Sequence, residues 1–208
     1  MYFLDLLGTF AFAIGGAYKA KERKLNIFGV IFLGIITAVG GGTIRDLIID
    51  RAPLFYLRDP MYLIVCFVAG GLTFYLPNFF KKTYSVFRLS DSIGLATFVI
   101  IGASVTSEQI FPVVSPSLIS IFSCVLMGMV TGFGGGVIRD AIMGDTPYSL
   151  KAGSNYIMSA FWGAFIYYMV SFINPYLAII LSMFTTLALR EIISEYGIYN
   201  KVISKRLS

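Results

Sequence analysis

Histidine is absent from all 208 residues, cysteine occurs twice and tryptophan once, and only 13% of residues are charged. Each scarcity excludes something. Without histidine the chain lacks the commonest general base and the commonest metal ligand. Cys66 and Cys124 each sit inside an apolar run, which suggests neither a disulfide framework nor a zinc site. No Ser–His–Asp, Cys–His or metal-spaced cluster can be assembled, so neither an enzyme nor a bound cofactor is expected. An ordinary soluble domain is about 45–50% apolar and about 25% charged. Here 57% of residues are apolar and the mean hydropathy is +0.82, so most of the chain is expected to lie in a membrane.

The N-terminus, Met1-Tyr2-Phe3-Leu4-Asp5, has no basic segment ahead of the first apolar run, and no removable leader is expected. The isoelectric point of about 9.2 could indicate a nucleic-acid partner. The basic residues instead fall in short clusters between apolar runs, the distribution of topology determinants, and no nucleic-acid partner is expected.

A bilayer core about 30 Å thick takes roughly 20 helical residues. Seven stretches qualify: 2–18, 27–50, 61–78, 90–107, 117–143, 155–173 and 175–194. They are continuously apolar rather than alternating, which excludes barrel strands. With the N-terminus outside, twelve of the sixteen lysines and arginines fall in inner segments: Lys19, Lys21, Arg23, Lys24, Lys81, Lys82, Arg88, Lys151, Arg190, Lys201, Lys205 and Arg206. Arg51 and Arg58 are left outside, and Arg45 and Arg139 within helices. The expectation is an all-α integral membrane protein with a cytoplasmic C-terminus.

The sequence repeats itself. Residues 40–46 read Gly-Gly-Gly-Thr-Ile-Arg-Asp and residues 134–140 read Gly-Gly-Gly-Val-Ile-Arg-Asp, 94 positions apart, an offset that Pro53 and Pro147 share. Asp5-Leu6-Leu7-Gly8 corresponds to Asp91-Ser92-Ile93-Gly94, and Gly16-Ala17 to Gly102-Ala103, at an offset of 86. Each unit holds three spans, so the second copy enters the membrane from the opposite side, an inverted repeat. The expected division is 1–85 for the first unit, 86–173 for the inverted second, and 174–208 for a seventh helix and basic tail.

Two features could carry function. Gly40, Gly41, Gly42 and Gly134, Gly135, Gly136 weaken two helices, because glycine costs about 1 kcal/mol against alanine in a helix interior. A kink or an unwound turn that exposes backbone carbonyls is expected, and it is tolerated at membrane depth only where protein buries it or it lines water. Close packing is the other use of such glycines. Gly34, Ala38 and Gly42, and likewise Gly128, Gly132 and Gly136, form ladders spaced by four that admit a neighbouring helix. Both uses can hold together. Nucleotide binding is not expected, since position 137 is valine where a dinucleotide fingerprint needs glycine, and no Walker lysine is present.

The second feature is the pair of charged dipeptides Arg45-Asp46 and Arg139-Asp140. Intramembrane charges are costly and usually paired. Neighbouring residues on a helix point about 100° apart, so each arginine is expected to need an acceptor other than the adjacent aspartate. Asp5 lies at the start of the first span, and Arg45 about 27 Å along the second, at a similar depth. The inverted copy sets Asp91 level with Arg139. Asp5–Arg45 and Asp91–Arg139 contacts are therefore expected; the alternative is that both aspartates merely favour helix N-termini. Tyr56, Tyr62, Tyr84 and Tyr148 read as an interfacial belt. The segment from Lys19 to Lys24 could touch anionic lipid, and Glu191 and Glu195 should face the inner surface.

Seven spans, an inverted three-plus-three repeat and doubled Gly-Gly-Gly-x-Ile-Arg-Asp motifs together resemble the TRIC family of trimeric intracellular cation channels, and among them the prokaryotic members. The resemblance runs from Asp5 to about Arg190. It implies a homotrimer in the plasma membrane of a prokaryote, each protomer with its own pore. It also implies passage of monovalent cations, chiefly potassium with sodium a second candidate, between helices 27–50 and 117–143. Related prokaryotic chains are also described as glycine transporters, so a small-solute transporter using the same broken helices is the alternative. The absence of a midspan acidic residue for ion coupling favours a channel.

Overall fold

A computed structural model of the chain describes residues 1–76, 83–112, 116–151 and 155–195, with side chains described from 87 in the helix that begins at 83 and up to 191 in the helix that ends at 195. Lys81, Lys82, Lys201, Lys205 and Arg206 lie outside the described residues, as do the side chains of Tyr84 and Glu195. Among the described residues the regular structure is helical, with no strand. The helices are α1 (Tyr2–Glu22), α2 (Ile27–Ile48), the single turn α3 (Phe55–Arg58), α4 (Met61–Tyr75), α5 (Thr83–Ile110), α6 (Leu118–Ile142), α7 (Tyr156–Ser171) and α8 (Pro175–Glu195), with a 3-10 turn at Tyr148–Leu150. By length and composition, α2, α6 and residues Phe87–Ile110 of α5 can each cross a membrane, while α4 and α7 are shorter apolar helices.

Local chemistry sets the helix ends. The Asn26 side chain accepts from the Gly29 amide at the start of α2, and Ser117 with Ser120 forms a capping box at the start of α6. Both helices close with the same motif. The Arg51 amide donates to the Asp46 carbonyl at 2.8 Å, and the Asp145 amide to the Asp140 carbonyl at 2.9 Å. The closure turns on a left-handed residue, Asp50 at φ 53° in the first half and Gly144 at φ 70° in the second. Glycine takes that conformation without steric cost, and aspartate is among the few other residues that visit it.

α1, α2, α5 and α6 form the centre: α1 packs on α2, α5 on α6, α1 on α5 and α2 on α6, with α4 against α1 and α2 and α7 against α5 and α6. α8 packs on α7 and α5, and no described helix takes the corresponding place against α4 and α1. Small residues permit these approaches. A Cβ on Gly34 would stand 2.9 Å from the Ala13 carbonyl oxygen, and one on Gly128 would stand 2.8 Å from that of Val99, the same contact in each half. Apolar side chains fill the space between them, with Phe12, Leu95, Phe98 and Val99 at the α1–α5 seam. Outward faces carry large exposed hydrophobics such as Phe3, Phe28, Leu118, Phe122 and Phe184, as a membrane-embedded surface requires.

Candidate functional site

The two glycine triplets meet each other. A Cβ on Gly41 would fall on the Thr131 carbonyl oxygen of α6, and one on Gly135 would fall on the Thr37 carbonyl oxygen of α2. A Cβ on Gly40 would lie 2.9 Å from the Ile138 Cδ1, and one on Gly134 would lie 3.3 Å from the Ile44 Cδ1. As numbering rises from 37 to 41 on α2 it falls from 135 to 131 on α6, so the helices cross antiparallel at these glycines. The expected unwound turn is corrected: residues 27–48 and 118–142 are helical through both triplets. Propensity is a weak term that tertiary packing overrides, and here the missing side chains let two backbones touch. The hydroxyls of Thr37 and Thr131 at this waist are bonded to the Leu33 and Met127 carbonyls, at 2.6 and 2.7 Å.

Beyond the waist, each helix carries its Arg–Asp dipeptide toward an opposite end of the bundle. In the first half Arg45, 2% exposed, donates from Nε to the Asp46 Oδ1 at 2.8 Å, and its second nitrogen lies 2.7 Å from the same oxygen. The expectation that adjacent residues do not pair is corrected in both halves, because the Arg139 Nε donates to the Asp140 Oδ1 at 2.8 Å. The long arginine stem bends the guanidinium back across the 100° between neighbours. Asp46 also accepts from the Phe55 amide at 3.2 Å and lies 3.5 Å from Arg51. The Phe55 ring sits 5.5 Å beneath the Arg45 guanidinium, a cation–π contact.

The expected Asp5–Arg45 ion pair is not formed. Asp5 accepts a hydrogen bond from the Tyr62 hydroxyl at 2.9 Å instead. Tyr62 is buried, which corrects its place in an interfacial belt. The Asp91–Arg139 contact is present at 2.9 Å, Nη1 to Oδ1, with Asp91 1% and Arg139 2% exposed. The structure therefore brings together one of the two expected pairs.

The second cluster recruits groups that sequence reasoning assigned elsewhere. Arg190 of α8 is 6% exposed and donates to the Asp91 Oδ2 and to the Ser92 Oγ, both at 2.5 Å. Its guanidinium lies 4.0 Å over the Tyr156 ring. Glu191 accepts from the Arg88 Nε at 2.7 Å and from the Ser92 hydroxyl at 2.6 Å, tying α8 to α5. Lys19 of α1 donates to the Asp140 Oδ1 at 2.6 Å and lies 3.0 Å from Asp145, which also pairs with Arg23. The Lys19 hydrogen bond, with the Lys19 and Arg23 charges, holds the Asp145 carboxyl in the loop below its ordinary range. Lys19 and Arg190 count among the inner basic residues of the charge pattern, yet both reach buried aspartates. The signal for Arg190 was present, since it interrupts the apolar run Leu187-Ala188-Leu189 and an intramembrane charge needs a partner. Nothing in the sequence pointed Lys19 at α6. Among the described residues no group of histidine, cysteine, aspartate or glutamate is arranged to hold a metal ion.

The family model described as "Glycine transporter" matches residues 2–78 and again 88–171. The chain is 40% identical over 154 residues to the inner membrane protein YadS of Escherichia coli K12, covering 73% of this chain and 70% of that one. It superposes on the trimeric intracellular cation channel orthologue from Rhodobacter sphaeroides with a TM-score of 0.85 at 28% identity, over 95% of this chain and 98% of the other. A second solved structure, described under the structural basis for conductance through TRIC cation channels, gives a TM-score of 0.80 at 32% identity over 95% and 94%.

This chain belongs to the TRIC family. It is a multi-pass membrane protein, and its two matched segments each contain one glycine triplet and one Arg–Asp dipeptide. α8 lies outside both matched segments.

Proposed function

We propose that the chain is a potassium-permeable cation channel working as a homotrimer, with a conduction path through each protomer past the α2–α6 crossing. The observation that carries this reading is the crossing itself: two antiparallel helices touch through glycine, and a buried Arg–Asp pair flanks the contact at either end. That arrangement lies in a chain aligned over 95% of its length with structures described as cation channels. The missing side chains bring two helical backbones together at a waist, which sets the narrow point past which the path runs. The charged groups beyond it are bonded to one another, so they shape and gate the path rather than bind a cofactor. Gly40, Gly41, Gly134 and Gly135 form the waist, with Gly42 and Gly136 beside it against Phe55 and Arg139; Arg45 with Asp46, and Arg139 with Asp140 and Asp91, form the gating pairs, while Asp5 stands apart on Tyr62.

The two segments matched by one family model, and the reversed run of contacts between them, support an inverted repeat of residues 1–85 and 86–173 followed by the 174–208 element. The distribution of basic residues supports an N-terminus outside and a C-terminus in the cytoplasm of a bacterial inner membrane. A reporter fused after Ser208 should be active on the cytoplasmic face; activity outside overturns that orientation.

The family description favours a second reading, a glycine transporter built on the same crossing. Proteoliposomes separate the two. A channel collapses a potassium gradient passively and accumulates no labelled glycine, whereas saturable glycine uptake without potassium leak selects the transporter.

A further inference from the structure

Asp91 is the only described carboxylate here that is shared between two buried arginines. Arg139 takes its Oδ1 at 2.9 Å and Arg190 its Oδ2 at 2.5 Å. The three residues come from three helices, α6, α8 and α5, and all are buried. Arg190 is fixed from its other side by the Ser92 hydroxyl and by the Tyr156 ring. The first half has no such member: the counterpart aspartate, Asp5, holds a neutral tyrosine hydroxyl.

We propose that Arg190 is a positioning residue for gating, setting through the shared Asp91 carboxylate how firmly Arg139 is held. The proposal rests on the channel reading above. Two guanidiniums on the two oxygens of one carboxylate divide its attraction and repel each other, and burial leaves that repulsion little screened. With Arg190 present, Arg139 feels a carboxylate already half satisfied. Without it, Arg139 faces the whole charge and is gripped harder. Loss of Asp91 does the reverse, leaving Arg139 with Asp140 alone. α8 thus tunes a charged group on α6 through the α5 carboxylate that both arginines share.

The test is single-channel recording of wild type, Arg190→Gln, Arg190→Lys and Asp91→Asn in planar bilayers with potassium chloride on both sides. Arg190→Gln and Asp91→Asn should move the open–closed ratio at fixed voltage in opposite directions, each by roughly tenfold, the size of a contacting pair's coupling. Arg190→Lys, which keeps the charge, should stay near wild type. A merely structural role moves both variants the same way, and that result, or no shift in Arg190→Gln, overturns the proposal. Should Arg190→Gln not assemble, Ser92→Ala carries the test. It leaves Arg190 leaning more heavily on Asp91 and should shift gating in the Asp91→Asn direction; an opposite shift or none overturns it.

Absence of unitary current in wild type would defeat the channel reading and still leave the sharing of Asp91 measurable. Thermal unfolding of the solubilised protein then compares Arg139→Gln, Arg190→Gln and the double variant. Only the double variant strips Asp91 of both cations, so its loss should exceed the sum of the single losses. Additive losses overturn the shared-carboxylate account.

Discussion

The two ends of the α2–α6 crossing use the same dipeptide in different company. At one end Arg45 and Asp46 hold each other, Arg51 stands by, and Asp5 is left to Tyr62. At the other, Arg139 and Asp140 are joined by Asp91, Arg190 and Lys19, drawn from three helices besides their own. The difference traces to few positions. Among the described residues α8 exists on one side only, and position 51 is arginine where its counterpart 145 is aspartate. The acidic Asp145 calls for cations, and Lys19 and Arg23 of α1 supply them. A duplicated backbone with near-identical motifs therefore carries one lightly held end and one cross-braced end.

The largest contrast should come from the counterpart aspartates. Asp91→Asn leaves two buried guanidiniums short of charge, and breaking a buried pair costs about 3–5 kcal/mol. Asp5→Asn weakens one hydrogen bond to a neutral hydroxyl and should cost about 1 kcal/mol. Thermal unfolding in detergent measures both; equal losses would break the comparison.

At the waist the two halves should instead behave alike. Gly41→Ala and Gly135→Ala each drive a Cβ into a backbone carbonyl of the other helix, and such overpacking typically costs 1–3 kcal/mol. Both variants should lose potassium conduction, and Gly41→Leu and Gly135→Leu more so, while the chain still inserts. Gly71→Ala is the control, because a Cβ there meets nothing within 4 Å. Conduction like wild type in either waist variant would place the path elsewhere.

Much of this was legible in the sequence, and the limits have physical causes. The offsets of 94 and 86 were enough to pair Asp91 with Arg139 and to anticipate the Gly34 and Gly128 approaches. Helix breaking at the triplets was inferred from propensity alone, and packing between α2 and α6 overrode it. Repeat symmetry misplaced Asp5, since symmetry predicts matching partners only where the surrounding elements also match, and α8 has no counterpart among the described residues. Arg190 and Lys19 were absorbed into a charge count that serves orientation equally well whether a lysine faces water or reaches across to another helix.

The smallest effect separates Asp145 from Arg51. The folded-state carboxyl of Asp145 is depressed, chiefly by its Lys19 hydrogen bond, so its contribution is present above the unfolded value of about 3.9 and is lost as pH falls through the folded value. The thermal midpoint of wild type should fall toward that of Asp145→Asn on acidification below about pH 4. A constant gap between the two across that range would remove Asp145 from the brace.

On the proposed reading, cations pass through each protomer at the glycine crossing. The most direct measurement is the reversal potential of unitary currents from the purified protein in a planar bilayer under a potassium chloride gradient, for wild type, Gly41→Ala and Gly135→Ala. The account predicts discrete wild-type currents reversing near the potassium equilibrium potential, absent in both variants. Wild-type protein that passes no current, or variants whose currents match it, would contradict the account.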